Sequence, residues 1–227
     1  MPVDFRSFEA MTFDCYGTLI DWETGLLTAL RPIVADHDDD TLLETFARHE
    51  SALEDGPYLS YREVLAGSLR GMGADLGFEP TDEQVAAFAD SVGDWPAFPD
   101  SPAALAALKR RFRLGVITNC DDDLFARSNE RLQVEFDWVV TAEQARGYKP
   151  GPRPFELAAE RIDVPLERVL HVAQSLYHDH VPAKAAGRTT VWVDRRQGRE
   201  GGATLPSEAE PDLTVPDMRT LAELASD

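Results

Sequence analysis

The run Thr12-Phe13-Asp14-Cys15-Tyr16-Gly17-Thr18-Leu19-Ile20 closes an apolar segment with a carboxylate and follows it with a glycine loop and a hydroxyl. At the end of a buried parallel strand, Asp14 would face the crevice where open α/β sheets bind ligands. A carboxylate held there can act as a nucleophile. Three later segments carry complementary groups. Val116-Ile117-Thr118-Asn119 offers a hydroxyl and an amide that could hold an oxyanion, and Tyr148-Lys149-Pro150 puts a cation in a proline-stiffened loop. The run His171-Val172-Ala173-Gln174-Ser175-Leu176-Tyr177-His178-Asp179-His180 supplies a second carboxylate. A His-x-His pair on a helix points to different faces, so His178 and His180 do not read as a metal pair; either could serve as a base.

The elements that must position these groups follow from periodicity. A strand is expected near residues 8–14. Residues 23–92 read as wholly helical, with apolar positions at helical spacing in four groups. These are Leu26, Leu27, Leu30, Ile33 and Val34; Leu42, Leu43, Phe46 and Leu53; Val64, Leu65, Leu69 and Met72; and Val85, Phe88 and Val92. Thr81 is a plausible N-cap of the fourth helix. Beyond Trp95-Pro96-Ala97-Phe98-Pro99-Asp100, read as a hinge, helix and strand alternate. Helices are expected at 102–111, 122–132, 153–162 and 178–186, and strands at 113–118, 137–141, 168–173, 189–194 and 212–215. Such alternation argues for a parallel sheet with helices on both faces. The helical block is then an insertion over the strand ends. Domain boundaries are expected at 1–20 with 97–227 for the core and 21–96 for the cap, and residues 196–210 read as a surface loop. Trp22, Tyr58 and Tyr61 are candidates to line a pocket under the cap.

Composition narrows the function classes. The chain has 227 residues, a formal net charge of −19 and only three lysines, Lys109, Lys149 and Lys184. So acidic a surface opposes nucleic acid and anionic membranes as partners. It fits either life in high salt or an ordinary acidic protein of a GC-rich genome. The acidic run Asp36-His37-Asp38-Asp39-Asp40 reads as a solvated loop. No apolar stretch reaches the ~18 residues of a membrane helix, and Met1 to Ala10 lacks a secretory h-region. Cys15 and Cys120 read as reduced thiols, so the expected location is cytoplasmic.

The order of the four segments resembles the haloacid dehalogenase superfamily, and within it the L-2-haloacid dehalogenase-like group. The resemblance spans nearly the whole chain. It implies a Rossmann-like core, a four-helix cap and a covalent aspartyl intermediate. It further implies Asp14 as nucleophile, Thr18 as the hydroxyl that fixes it, Lys149 as the cation that orients it, and Asp179 as the acid that pairs with Lys149 or activates water. Thr118, Asn119, Tyr16, Gln174 and Ser175 would contact substrate. Arg48, on the second cap helix, falls near where such dehalogenases place an arginine against the halide or the substrate carboxylate.

The departures from the superfamily carry the choice of reaction. Its phosphatases have an acid two residues after the nucleophile, to protonate the leaving alkoxide, and another in the fourth motif for Mg²⁺. Here those positions hold Tyr16 and Gln174. Halide leaves without a proton, and a neutral amide is a poor ligand for a hard dication. The expectation is a cofactor-free hydrolase of a small 2-substituted carboxylic acid, of (S)-2-haloacid dehalogenase type. A Mg²⁺-dependent phosphatase is the alternative. A second alternative is ring opening, because residues 14–25 and 175–180 resemble the motifs of an azetidine-2-carboxylate hydrolase. A homodimer is the protein partner that such folds suggest.

Overall fold

A computed structural model describes residues 3–198 and 207–226. Six parallel strands form one sheet: β1 (Ala10–Phe13), β2 (Arg113–Thr118), β3 (Trp138–Thr141), β4 (Val169–Ala173), β5 (Thr190–Val193) and β6 (Leu213–Val215), in the order β3-β2-β1-β4-β5-β6. Every residue of β1 and of β4 is buried. Their near-continuous apolar character is what a strand covered on both faces requires. The order reverses direction at β1, between β2 and β4, so the crevice beyond its carboxyl end is the switch point at which such sheets bind ligands. Asp14 is the next residue in the chain.

Four helices lie in the chain between β1 and the return to the sheet at Ala97: α1 (Trp22–Leu30), α2 (Asp39–Glu54), α3 (Tyr61–Leu76) and α4 (Asp82–Asp90). Each starts on a side-chain cap, from Asp21, Asp38, Ser60 and Thr81 respectively. Thr81 and Gln84 form a full capping box, as do Ser60 and Glu63. The acidic run 36–40 is the entrance to α2 rather than a free loop. The chain leaves the sheet and returns to it side by side. Ile20 and Ala97 form an antiparallel bridge, Asp21 N donates to Pro96 O at 2.8 Å, and Phe98 N donates to Leu19 O at 3.0 Å.

The remaining helices are α5 (Ser101–Lys109), α6 (Asp122–Leu132), α7 (Ala142–Ala145), α8 (Pro152–Arg161), α9 (Val181–Ala185) and α10 (Met218–Ser226). The short α7, started by the Thr141 hydroxyl, and the terminal α10 were not anticipated from the sequence. The expected helix 178–186 is split into a wide π-helical turn at Leu176–His180, followed by α9. Of the expected loop 196–210, residues 199–206 lie outside the described residues. No described helix is long and apolar enough to cross a membrane.

The inserted helices and the sheet share one apolar core. Trp95, 2% exposed, packs directly on Gly25 of α1, where an added Cβ would lie 2.2 Å from the indole Cγ. Alanine normally gains about 1 kcal/mol over glycine inside a helix. Overpacking a rigid, buried indole costs about 1–3 kcal/mol and decides the sign here. Gly25→Ala is therefore expected to destabilise the protein in urea denaturation, with a lower midpoint at unchanged slope.

Candidate active site

The loop after β1 is a tight coil. Cys15 O accepts N–H bonds from Thr18, Leu19 and Ile20, at 3.2, 2.7 and 3.0 Å. Gly17 has φ +90°, a conformation that strains any side chain, and a Cβ there would also press to 3.1 Å on both Gln174 Oε1 and Trp22 Nε1. The coil turns the Thr18 hydroxyl back onto Asp14, where it donates to Oδ2 at 2.6 Å and accepts from Gln174 N at 2.8 Å. The first and fourth strand ends are thereby joined.

Asn119 joins the second and third. Its Oδ1 accepts from Lys149 N at 2.8 Å and its Nδ2 donates to Lys149 O at 3.0 Å. The Lys149–Pro150 bond is cis. Lys149, 1% exposed, sends its Nζ to three acceptors: Asp14 Oδ1 at 2.8 Å, Asp179 Oδ1 at 2.7 Å and Ile117 O at 2.9 Å. Asp179 reaches it through the π-helical turn, in which Asp179 N and His180 N both donate to Ser175 O. His171 Nε2 lies 3.0 Å from the same Asp179 oxygen, and its Nδ1 lies 2.9 Å from Thr12 Oγ1. Asp179 Oδ2 is buried and has no hydrogen-bond partner among the described residues.

Charge follows from this geometry. Burial opposes the Lys149 ammonium, but Asp14 and Asp179 outweigh it and hold its pKa above the ordinary lysine range. Burial likewise works against the Asp179 carboxylate, and Lys149 and His171 reverse it, leaving its pKa well below the usual range. For Asp14 burial wins over the pull of Lys149 and raises the pKa. A carboxylate stripped of water yet fixed by Thr18 and Lys149 is equipped for nucleophilic attack. Burial lowers the His178 pKa to about 4, so this imidazole is neutral near pH 7.

The small pocket over Asp14 has a cavity volume of about 40 Å³ and is lined by several of the expected residues: Tyr16, Asn119, Lys149, Gln174, Ser175 and Asp179. Trp22 and Tyr61 also line it, whereas Tyr58 stacks on Tyr148 outside it. Tyr16 presents its ring and turns its hydroxyl away. That hydroxyl is bonded to Ser128 Oγ at 3.0 Å and accepts from the Cys120 thiol at 3.3 Å.

Two expected residues do not reach the pocket. Thr118 ends β2 inside the sheet layer, fully buried with its hydroxyl unpartnered, and is absent from the lining. Arg48 lies on the outer face of α2, 61% exposed and paired with Asp75 at 2.8 Å. In its place α2 turns Glu50 and Glu54 into the pocket. Sequence reasoning missed both. Glu50 falls four residues after Phe46, on the buried apolar stripe of the helix, and a charge on that stripe was the available signal.

A family model for haloacid dehalogenase-like hydrolases matches residues 8–187, and the chain belongs to that family of hydrolases. Haloacetate dehalogenase H-2 of Moraxella sp. (strain B) is 26% identical over 225 residues, covering 96% of this chain and 98% of that one. The (S)-2-haloacid dehalogenase of Pseudomonas fluorescens is 25% identical over 233 residues, covering 97% and 96%. The L-2-haloacid dehalogenase from Xanthobacter autotrophicus, solved with chloropropionic acid covalently bound, superposes with a TM-score of 0.81 at 22% identity, covering 96% and 98%. The sheet with its inserted helices is thus the fold of these dehalogenases.

Removing one partner of a buried ion cluster costs about 3–5 kcal/mol. Lys149→Met should do so here, because it leaves Asp14 and Asp179 facing each other without a cation. Their folded pKa values would then lie above the unfolded ones. The loss relative to wild type should be full at neutral pH and shrink as pH falls through about 5 to 4, where both carboxyls protonate. Urea titrations of both proteins at pH 7 and pH 4 read this directly.

Proposed function

We propose that this hydrolase acts on a small 2-substituted carboxylic acid by the 2-haloacid dehalogenase route, through an ester on Asp14. The observation that carries the reading is the fixed Asp14 carboxylate beside a Tyr16 whose hydroxyl is committed to Ser128 and Cys120. A nucleophile is in place, and no acid stands at position 16 to protonate a leaving alkoxide. Asp14 attacks C2 in line; the carbon–halogen bond breaks and halide leaves with its electron pair. Water then adds to the ester carbonyl, the C2 alkoxide of the product departs and leaves Asp14 as a carboxylate again, one proton of the water ends on that alkoxide to give the 2-hydroxy acid, and the other passes to a base. In this scheme Asp179 Oδ2 orients that water and neutral His178 takes the proton, a reading supported by the free valence of the first and the lowered pKa of the second. Ser175 and backbone N–H groups of the strand-end loops hold the substrate carboxylate in this scheme. Residues 21–96 act as the cap unit that closes the pocket.

The alternative with Mg²⁺ needs a hard oxygen cage. Of the acids that line the pocket, Asp14 and Asp179 each have an oxygen on Lys149, Glu50 and Glu54 stand on α2, and Gln174 is neutral; among the described residues no three acidic, histidine or cysteine side chains are gathered closely enough to hold a metal ion. This donor set does not fit a dication, and no step is assigned to one.

Chloride release from (S)-2-chloropropionate, in sulfate medium with EDTA present, is the expected activity. A single turnover in H₂¹⁸O should place the label in Asp14, and the 2-hydroxy acid should show inverted configuration. Asp14→Asn should lose at least about 10³-fold in turnover. Folded protein that forms no ester on Asp14 would overturn the reading.

A further inference from the structure

Glu54, the last residue of α2, belongs to two cavities at once. Together with His178 and Lys149 it lines both the pocket over Asp14 and an outer cavity of about 210 Å³. Its side chain is 6% exposed, and Oε2 lies 3.9 Å from His178 Nε2. The same oxygen reaches Asn119 Nδ2 only at 3.4 Å, and that amide is better bonded to Lys149 O. Contacts of catalytic pairs are commonly long without substrate and tighten with it. The inserted helices and the strand-end loops thus face each other here through a carboxyl and an imidazole.

Ser175 sets which ring nitrogen meets Glu54. Its Oγ accepts from His178 N at 2.9 Å and lies 3.2 Å from Nδ1. With the Ser175 hydroxyl proton given to the substrate carboxylate, Nδ1–H donates to Oγ and Nε2 keeps its lone pair. The nitrogen free to act as a base is then the one beside Glu54.

Relative basicity decides where the proton goes. Hydrolysis of the Asp14 ester frees a proton in a pocket of about 40 Å³, with room for only a few water molecules, so bulk solvent does not take it up there. Asp179 is a weak acceptor: burial is outweighed by Lys149 and His171, which hold its pKa well below the usual range. Burial lowers the His178 pKa to about 4, so its imidazolium does not persist near neutral pH. Burial, and then the charge of Glu50 one turn earlier, raise the Glu54 pKa well above the carboxylate range. A proton passes from the weaker base to the stronger. Resting on the reading of Asp14 as nucleophile, we propose that Glu54 is the positioning and relay residue of the second step: the water O–H bond breaks, its proton passes to His178 Nε2 and on to Glu54 Oε2, and Glu54 delivers it to the outer cavity.

Glu54 accepts only as a carboxylate. The groups that face the pair are Glu50 and Asp55 of α2 and its end, Tyr61 of α3, Tyr148 and Lys149 before α8, and Asp14, Tyr16, Tyr177 and Asp179 of the other strand-end loops. Of these, Glu50 and Asp55 raise the Glu54 pKa and Lys149 lowers it. Ester hydrolysis should therefore speed up as pH rises through the elevated Glu54 pKa. Chloride release moves no proton and should follow the ionisation of Asp14 instead.

Rapid-quench experiments with (S)-2-chloropropionate in sulfate medium read chloride release and decay of the Asp14 ester separately, the ester by intact mass. In Glu54→Gln, chloride release should keep the wild-type rate. Ester hydrolysis should slow about 10²-fold and lose its pH dependence, so that the ester accumulates. Glu50→Gln keeps an acceptor for Tyr61 and should move the hydrolysis limb to lower pH while the chloride limb stays in place. Ester hydrolysis at the wild-type rate in Glu54→Gln, or a loss shared equally by both steps, overturns the relay and leaves the nucleophile reading standing. So does a wild-type hydrolysis step without a pH limb of its own, a result that needs no variant. Folded wild-type protein that forms no ester overturns the nucleophile reading, and the relay with it.

Discussion

The site depends on one buried ammonium. Lys149 has three protons and three acceptors, two of them carboxylates from opposite sides of the switch point and the third the carbonyl of Ile117 in β2. Behind it runs a chain of contacts that returns to its starting strand: Thr12 to His171, His171 to Asp179, Asp179 to Lys149, Lys149 to Asp14, Asp14 to Thr18, and Thr18 to the backbone of Gln174. Each link fixes the next, so Asp14 inherits the rigidity of the sheet. Burying three charges in this way is a poor source of stability. Its return is orientation, since a carboxylate pinned through both oxygens has little freedom left to lose on reaching a transition state.

Much of this was legible because strand ends are written in short local patterns. The apolar run before Asp14, Gly17 at its positive φ and the proline after Lys149 each mark a loop by local chemistry. Alternating helix and strand gave the sheet, and Thr81 with Gln84 gave a helix start. What could not be read was the wide turn at Leu176–His180, because π geometry has no propensity signal. It exists only where Asp179 is drawn to Lys149 and Ser175 gathers the backbone N–H groups. Arg48 was misplaced for a related reason. Position along a helix is clear in sequence, but the face is set by the apolar stripe, and Glu50 rather than Arg48 lies on it.

Tyr16 shows how one residue alters the chemistry available to a fixed fold. Its ring packs edge-on against Trp95 at 5.8 Å, and its hydroxyl sits between Ser128 and Cys120. Burial raises its pKa far above neutrality, so it is neither an anion nor a ready proton donor there. The position two residues after Asp14 thus serves packing between the sheet and the inserted helices.

The two halves of the pocket answer to different constraints. Asp14, Lys149 and Asp179 are tied to β1, β2 and β4, and a change in any one propagates through the contact chain. The inserted helices meet the core by other means: Asp121 accepts from the N–H groups of Tyr61 and Arg62 at the start of α3, at 2.8 and 3.1 Å, and Arg62 continues to Asp90 and Asp123. Glu50 and Glu54 belong to neither network apart from the Tyr61 hydroxyl and the long Asn119 contact. Side chains on that face of α2 can therefore vary without moving Asp14.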